Sequence, residues 1–179
     1  MKILETERLI IEEANLSDAP FFLRLLNSPN WIEFIGDRNI KSLEDATKYV
    51  QESLIDNYRK NGYGFYKMNL RETNQAIGAI GFLKREYLEF PDIGYAILPN
   101  HEGKGYVSEA AKAILEYGQD KLYLKEIVAF TTEENLASQK ILSKIGLHFI
   151  DKRALDGEEF LYFSTKQPSS NKLKLDKIQ

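Results

Sequence analysis

Apolar positions along the chain recur with two different periods, and the points where the period changes divide it into strands and helices. Arg8 to Ala14 (RLIIEEA) is a short apolar run with a charged lead-in and predicts a first strand. Asn15 and Ser17-Asp18 then supply a capping signal, and Phe21, Phe22, Leu25 and Leu26 form the inward stripe of a helix broken by Asn27-Ser28-Pro29-Asn30. Ser42 and Asp45 open a second helix with the capping pattern S-x-x-D, running through Ala46, Tyr49, Val50, Leu54 and Tyr58 and ending at Asn61-Gly62. From Gly64 the period becomes two, so that residues 64–70 and 75–83, joined by Glu72-Thr73-Asn74, predict an antiparallel hairpin. Gly78 and Gly81 weaken such a strand and mark a bulge or a close backbone contact.

Asp92 to Pro99 (DIGYAILP) predicts a buried strand that Pro99 terminates, after a polar link from Arg85 to Phe90. Val107, Ala110, Ala111, Ile114, Leu115 and Gly118 then repeat at helical spacing with Lys112 and Glu116 opposite. Glu126 to Thr131 is another strand, and the helix-sized connection before it predicts parallel pairing with the strand 92–99 through a right-handed crossover. Asn135 to Ile145 predicts a helix with Leu136, Ile141, Leu142 and Ile145 inward and Gly146 at its end. His148–Arg153 and Glu158–Ser164 complete a hairpin around Asp156-Gly157, and residues 166–179 predict a loose, polar tail.

Between the strand that ends at Pro99 and the helix that follows lies HEGKGYVSEA, from His101 to Ala110. Gly103 and Gly105 permit positive φ, so successive N–H groups can turn toward one anion at the positive end of the helix dipole. A G-x-G before a helix is also an ordinary loop, and the rest of the chain has to decide between the two. Around Glu33, the residues Trp31, Ile32, Phe34 and Ile35 read either as a short core helix with a solvated acid or as one wall of a substrate pocket.

At 179 residues, 43% hydrophobic, the chain is long enough for one domain with a full core. A net charge of −3 argues against a general grip on nucleic acid, which needs clustered Lys and Arg. The absence of Cys removes disulfides, thiolate metal sites and a cysteine nucleophile, and two His do not build a zinc site, so no metal is assigned. The N-terminus carries acids where a secretory signal has none, and the longest apolar stretch, Ala76 to Leu83, falls far short of the ~20 residues of a membrane span. A cytoplasmic protein without a membrane partner is expected.

Four stretches in order, TERLIIEEA, PDIGYAILP, GKGYVSEAAKAIL and NLASQKILSKIGL, resemble the GNAT N-acetyltransferase superfamily over about residues 6–164. The likeness is to the branch that includes the alanine N-acetyltransferases of ribosomal proteins. It implies a single α/β domain over residues 1–165, a mixed, mostly antiparallel sheet of about seven strands with about four flanking helices. It also implies acetyl-CoA as cosubstrate and an amine acceptor, a protein N-terminus or a small molecule, acetylated by direct attack.

The resemblance assigns the coenzyme's diphosphate to the backbone of Gly103, Lys104, Gly105, Tyr106, Val107 and Ser108, with Lys104 a solvated residue or an added charge. Glu102 and Val107 depart from the superfamily's Q/R-x-x-G-x-G/A pattern at its two ends. The pantetheine arm is implied to lie along the strand 92–98, with Ile97 and Leu98 as contacts and one of their N–H groups as an oxyanion donor. Asp92, with Glu33 second, is the implied general base, the alternative being that Asp92 merely follows Pro91 in a turn. The tyrosine many members carry falls at Leu142, and in the branch resembled the serine of N-x-x-S, here Ser138, is the implied acid, the alternative being an ordinary helix serine. Asn135 holds the pantetheine amide or simply caps its helix, and Trp31, Glu33 and Phe34 line the acceptor pocket. The alternative is a non-catalytic acyl-CoA-binding module, suggested by Glu102, Val107 and the missing tyrosine; the oligomeric state, monomer or homodimer, stays open.

Overall fold

The computed structural model describes residues 1–155 and 157–167; Asp156 and the tail from residue 168 onward lie outside the described residues. The period-two and continuous apolar runs become β2 (Leu9–Glu12), β3 (Phe65–Leu70), β4 (Ala76–Leu83), β5 (Asp92–Ile97), β6 (Val128–Thr131), β7 (His148–Leu155) and β8 (Glu158–Ser164). An additional strand, β1 (Lys2–Glu5), precedes them. The charged lead-in hid it: β1 is an edge strand with exposed ends, and only Ile3 and Leu4 pack against the core. All eight strands form one sheet in the order β1-β2-β3-β4-β5-β6-β8-β7, antiparallel except where β5 meets β6.

The helical patterns fold as α1 (Ala19–Leu26), α2 (Pro29–Phe34), α3 (Leu43–Tyr49), α4 (Asp56–Asn61), α5 (Tyr106–Asp120) and α6 (Leu136–Lys144). Ser42 and Asp45 cap α3 reciprocally, as S-x-x-D requires. The segment read as one helix from Ser42 to Asn61 passes through a π-helical stretch, Val50–Ile55, between α3 and α4. The sheet separates two apolar layers. On one face Ala110, Ala111, Ile114 and Leu115 of α5 and Leu142 of α6 pack on Ile80, Phe82, Ile93 and Phe163. On the other, Phe22, Leu25, Trp31, Ala46, Val50 and Leu54 pack on Phe65 and Ala79.

Leu136 is not inward as its spacing suggested; it is 71% exposed. At roughly 100° per residue it stands about half a turn around the helix from Ile145 and about a third of a turn from Leu142. Ser138, four residues before Leu142, shares the inward face and is 9% exposed. The glycines of β4 answer to close contact: a Cβ on Gly81 would strike the Gly64 carbonyl, and one on Gly78 the Ala96 carbonyl.

Candidate active site

The single parallel joint of the sheet creates the site. β5 and β6 pair in register only at Asp92 and Val128, beyond which the two strands part. Leu98 donates its N–H to the Ile77 carbonyl at 2.8 Å, and this bond sets the phase of the β4–β5 ladder. With Ala96, Gly94 and Asp92 opposite Ala79, Gly81 and Leu83, those alternate residues bond toward β4. The backbone groups of Ile93, Tyr95 and Ile97 therefore turn the other way, and those of Tyr95 and Ile97 face the opening. A cavity of about 980 Å³ occupies that opening and reaches both faces of the sheet. Ile97 is in its wall; Leu98, whose amide is taken by Ile77, is not.

Pro99 ends β5 in a 3₁₀ turn, Pro99–His101, and the chain crosses to α5 through Gly103 at φ 70° and Gly105 at φ 80°. Glu109 is the first residue of the helix whose N–H bonds back, to the Gly105 carbonyl at 3.1 Å. Among the described residues, no acceptor pairs with the amides of 103–108. Gly103, Gly105, Tyr106, Val107 and Ser108 all line the cavity. Glu102 also lies in its wall, its carboxylate accepting from the Asn30 side-chain amide at 2.6 Å. Lys104 turns away: its ammonium donates to the Asn100 carbonyl at 2.8 Å and its side chain is outside the lining. The loop is thus a row of backbone donors at a helix N-terminus, an arrangement suited to a phosphate group.

At the far end, Asn135 caps α6, its Oδ1 accepting the Ser138 N–H at 3.0 Å. The capping alternative holds for Asn135, which also lines the cavity. Ser138 Oγ lies 2.9 Å from the Tyr95 hydroxyl, which also lies 3.2 Å from the Ser138 carbonyl. Burial pushes the Tyr95 hydroxyl up to about 12, against the bond to Ser138. Leu142, where the superfamily's tyrosine falls, is packed in the core. Tyr95 was missed from sequence; its one signal is the alternation of Ile93, Tyr95 and Ile97, which puts all three side chains on the α5–α6 face.

On the opposite side, Asp92 is 4% exposed and accepts from Arg85 Nε at 2.9 Å, and Arg85 also donates to the Tyr87 hydroxyl at 3.1 Å. Burial raises the Asp92 carboxyl above the usual range while Arg85 pulls it down. Arg85 was read only as part of a polar link. Glu33 is an exposed acid on α2 with no hydrogen bond or ion pair among the described residues, and it lines the cavity with Trp31 and Phe34. Trp31 is 4% exposed yet borders the cavity, whereas Ile32 and Ile35, at 42% and 39%, are exposed, so α2 packs into the core through Trp31 alone. Phe130, Glu158 and Phe160 complete that wall from β6 and β8, contributions that no local pattern announced.

The family model described as an acetyltransferase (GNAT) domain matches residues 8–148. The N-acetyltransferase YnaD of Bacillus subtilis (strain 168), itself uncharacterized, is 33% identical over 144 residues, covering 80% of this chain and 81% of that protein. A ribosomal-protein-serine acetyltransferase of Escherichia coli (strain K12) is 30% identical over 138 residues, covering 76% and 72%. Among solved structures, RimL, a ribosomal L7/L12 alpha-N-protein acetyltransferase in complex with coenzyme A, matches with a TM-score of 0.75 over 92% of this chain and 97% of that one. Its 19% identity makes that last likeness one of fold.

Proposed function

The chain belongs to the GNAT acetyltransferase family and is an N-acetyltransferase that uses acetyl-CoA, and from that premise we propose which residues act and on what. The acceptor is a primary amine, a protein N-terminus or a small molecule, entering the cavity from the side of Trp31, Glu33 and Phe34. Bound acetyl-CoA supplies an acyl thioester that a neutral amine attacks directly, with no covalent enzyme intermediate, in keeping with a chain that has no Cys. The amides of 103–108 hold the diphosphate. The Ile97 N–H, free of the β4 ladder, hydrogen-bonds the oxygen on which charge develops.

An ammonium of pKa about 8 to 10 must lose a proton before it attacks. Asp92 is the base for that proton, directly or through water, because burial leaves it a stronger base than a solvated carboxylate. Glu33 is second, better placed to attract the incoming ammonium. Ser138 donates its hydroxyl proton toward the departing sulfur, and Tyr95 donates in turn to Ser138 Oγ. The observation that carries this reading is the split between β5 and β6, which sets Asp92 and the Tyr95–Ser138 pair around one cavity with the free amides of the glycine loop at its edge.

The test is thermal unfolding with and without acetyl-CoA, followed by CoA release over a panel of peptides with free N-termini and small amines. At ~100 times its Kd, acetyl-CoA should add about 2.7 kcal/mol of stability. An unfolding temperature that acetyl-CoA leaves unmoved overturns the proposal. Comparison of peptide and small-amine rates assigns the acceptor class.

A further inference from the structure

Glu109, in the first turn of α5, places a carboxylate beside the loop assigned to the coenzyme's diphosphate. An anion there favours the helix but opposes a second anion at the same terminus. The structure sequesters it. Thr6 Oγ1 donates to Oε1 at 2.6 Å, the Arg8 N–H to Oε1 at 2.9 Å and Arg8 Nε to Oε2 at 2.7 Å. The same guanidinium donates from Nη1 to the Lys104 carbonyl at 3.0 Å, and its Cζ lies 4.6 Å from the Tyr106 ring centroid. Arg8 thus ties together the carbonyl between the two left-handed glycines, the first helical residue and the helix's own acid. Its side chain is outside the cavity wall.

We propose that Arg8 is a positioning residue for the coenzyme: it turns the Lys104 carbonyl outward, leaving the neighbouring amides directed at the diphosphate, and neutralises Glu109 beside it. A lysine does not replace it, since the fork that reaches both Glu109 and the Lys104 carbonyl, and the plane against Tyr106, belong to guanidinium alone. The proposal rests on the reading that this loop holds acetyl-CoA, which titration of the unaltered protein tests separately: no binding there refutes that reading.

The experiment titrates acetyl-CoA calorimetrically into the unaltered protein, Arg8→Ala, Arg8→Lys and Arg8→Ala/Glu109→Gln at low and high salt, with kcat and KM measured alongside. Arg8→Ala should raise Kd and the KM for acetyl-CoA about tenfold, while kcat at saturation stays within about twofold. Removing the stranded charge in the double variant should recover about threefold of the lost affinity, and the Arg8→Ala defect should shrink as salt rises. An Arg8→Ala Kd equal to that of the unaltered protein, or a double variant no tighter than Arg8→Ala, overturns the proposal. Where Arg8→Ala fails to fold, Arg8→Lys decides: about threefold weaker binding supports the proposal and unchanged binding refutes it.

Discussion

Ser138 and Tyr95 lie 43 positions apart, yet their hydroxyls are held 2.9 Å from one another. If Tyr95 donates to Ser138 Oγ, the serine proton is released to a leaving group; if it donates to the Ser138 carbonyl, the serine hydroxyl is spent on Tyr95. Ser138→Ala should lower kcat by about 10²-fold with little change in acetyl-CoA affinity, and Tyr95→Phe by a smaller factor in the same direction. Steady-state kinetics check this, and an unaltered kcat in Ser138→Ala removes the serine from the acid role. Asp92 gives the complementary test. Its carboxyl is raised by burial, so the active, ionised form is lost as pH falls through that raised value. Asp92→Asn should therefore abolish the acid limb of kcat/KM assigned to it, and a pH–rate profile with that limb intact transfers the base to Glu33.

At the scale of elements, the decisive feature is where strands stop pairing. β4 and β5 keep an unbroken register from Gly78–Ile97 to Leu83–Asp92, whereas β5 and β6 share one pair. Tyr95 and Ile97 are left with backbone groups facing a cavity, and Leu98 is not. Acetyl-CoA along that edge should slow amide exchange at Tyr95 or Ile97 and leave Leu98 nearly unaffected, because its N–H already bonds to Ile77. Exchange monitored by NMR with and without acetyl-CoA checks the contrast; equal protection of all three contradicts it. α6 works on the same logic: the face that carries Leu142 into the core also carries Ser138 to the cavity, so packing and chemistry share one orientation.

For the whole molecule, the parting of β5 and β6 opens the cavity to both faces of the sheet, one assigned to the coenzyme and the other to the acceptor in the function proposed above. Most of this frame was legible beforehand. The period-two runs, the S-x-x-D cap at Ser42, the strand end at Pro99 and the glycine loop each follow from forces that act within a few residues. The parallel joint was legible on another ground, since a connection long enough for a helix implies a crossover. β1 escaped because an edge strand with exposed ends has almost no pattern to detect. Leu136 was misassigned because an apolar residue was counted without its angle around the helix.

Local chemistry, then, determined the elements other than β1, their order, and the glycine loop that opens α5, because propensity, capping and φ preferences depend on neighbours along the chain. Only the folded sheet decided that Glu102 meets Asn30, that Tyr95 meets Ser138 and that Arg8 grips Glu109. Each of these depends on which side chains a strand register and a helix rotation bring within about 3 Å. Long-range contacts of that kind leave no periodicity in the sequence.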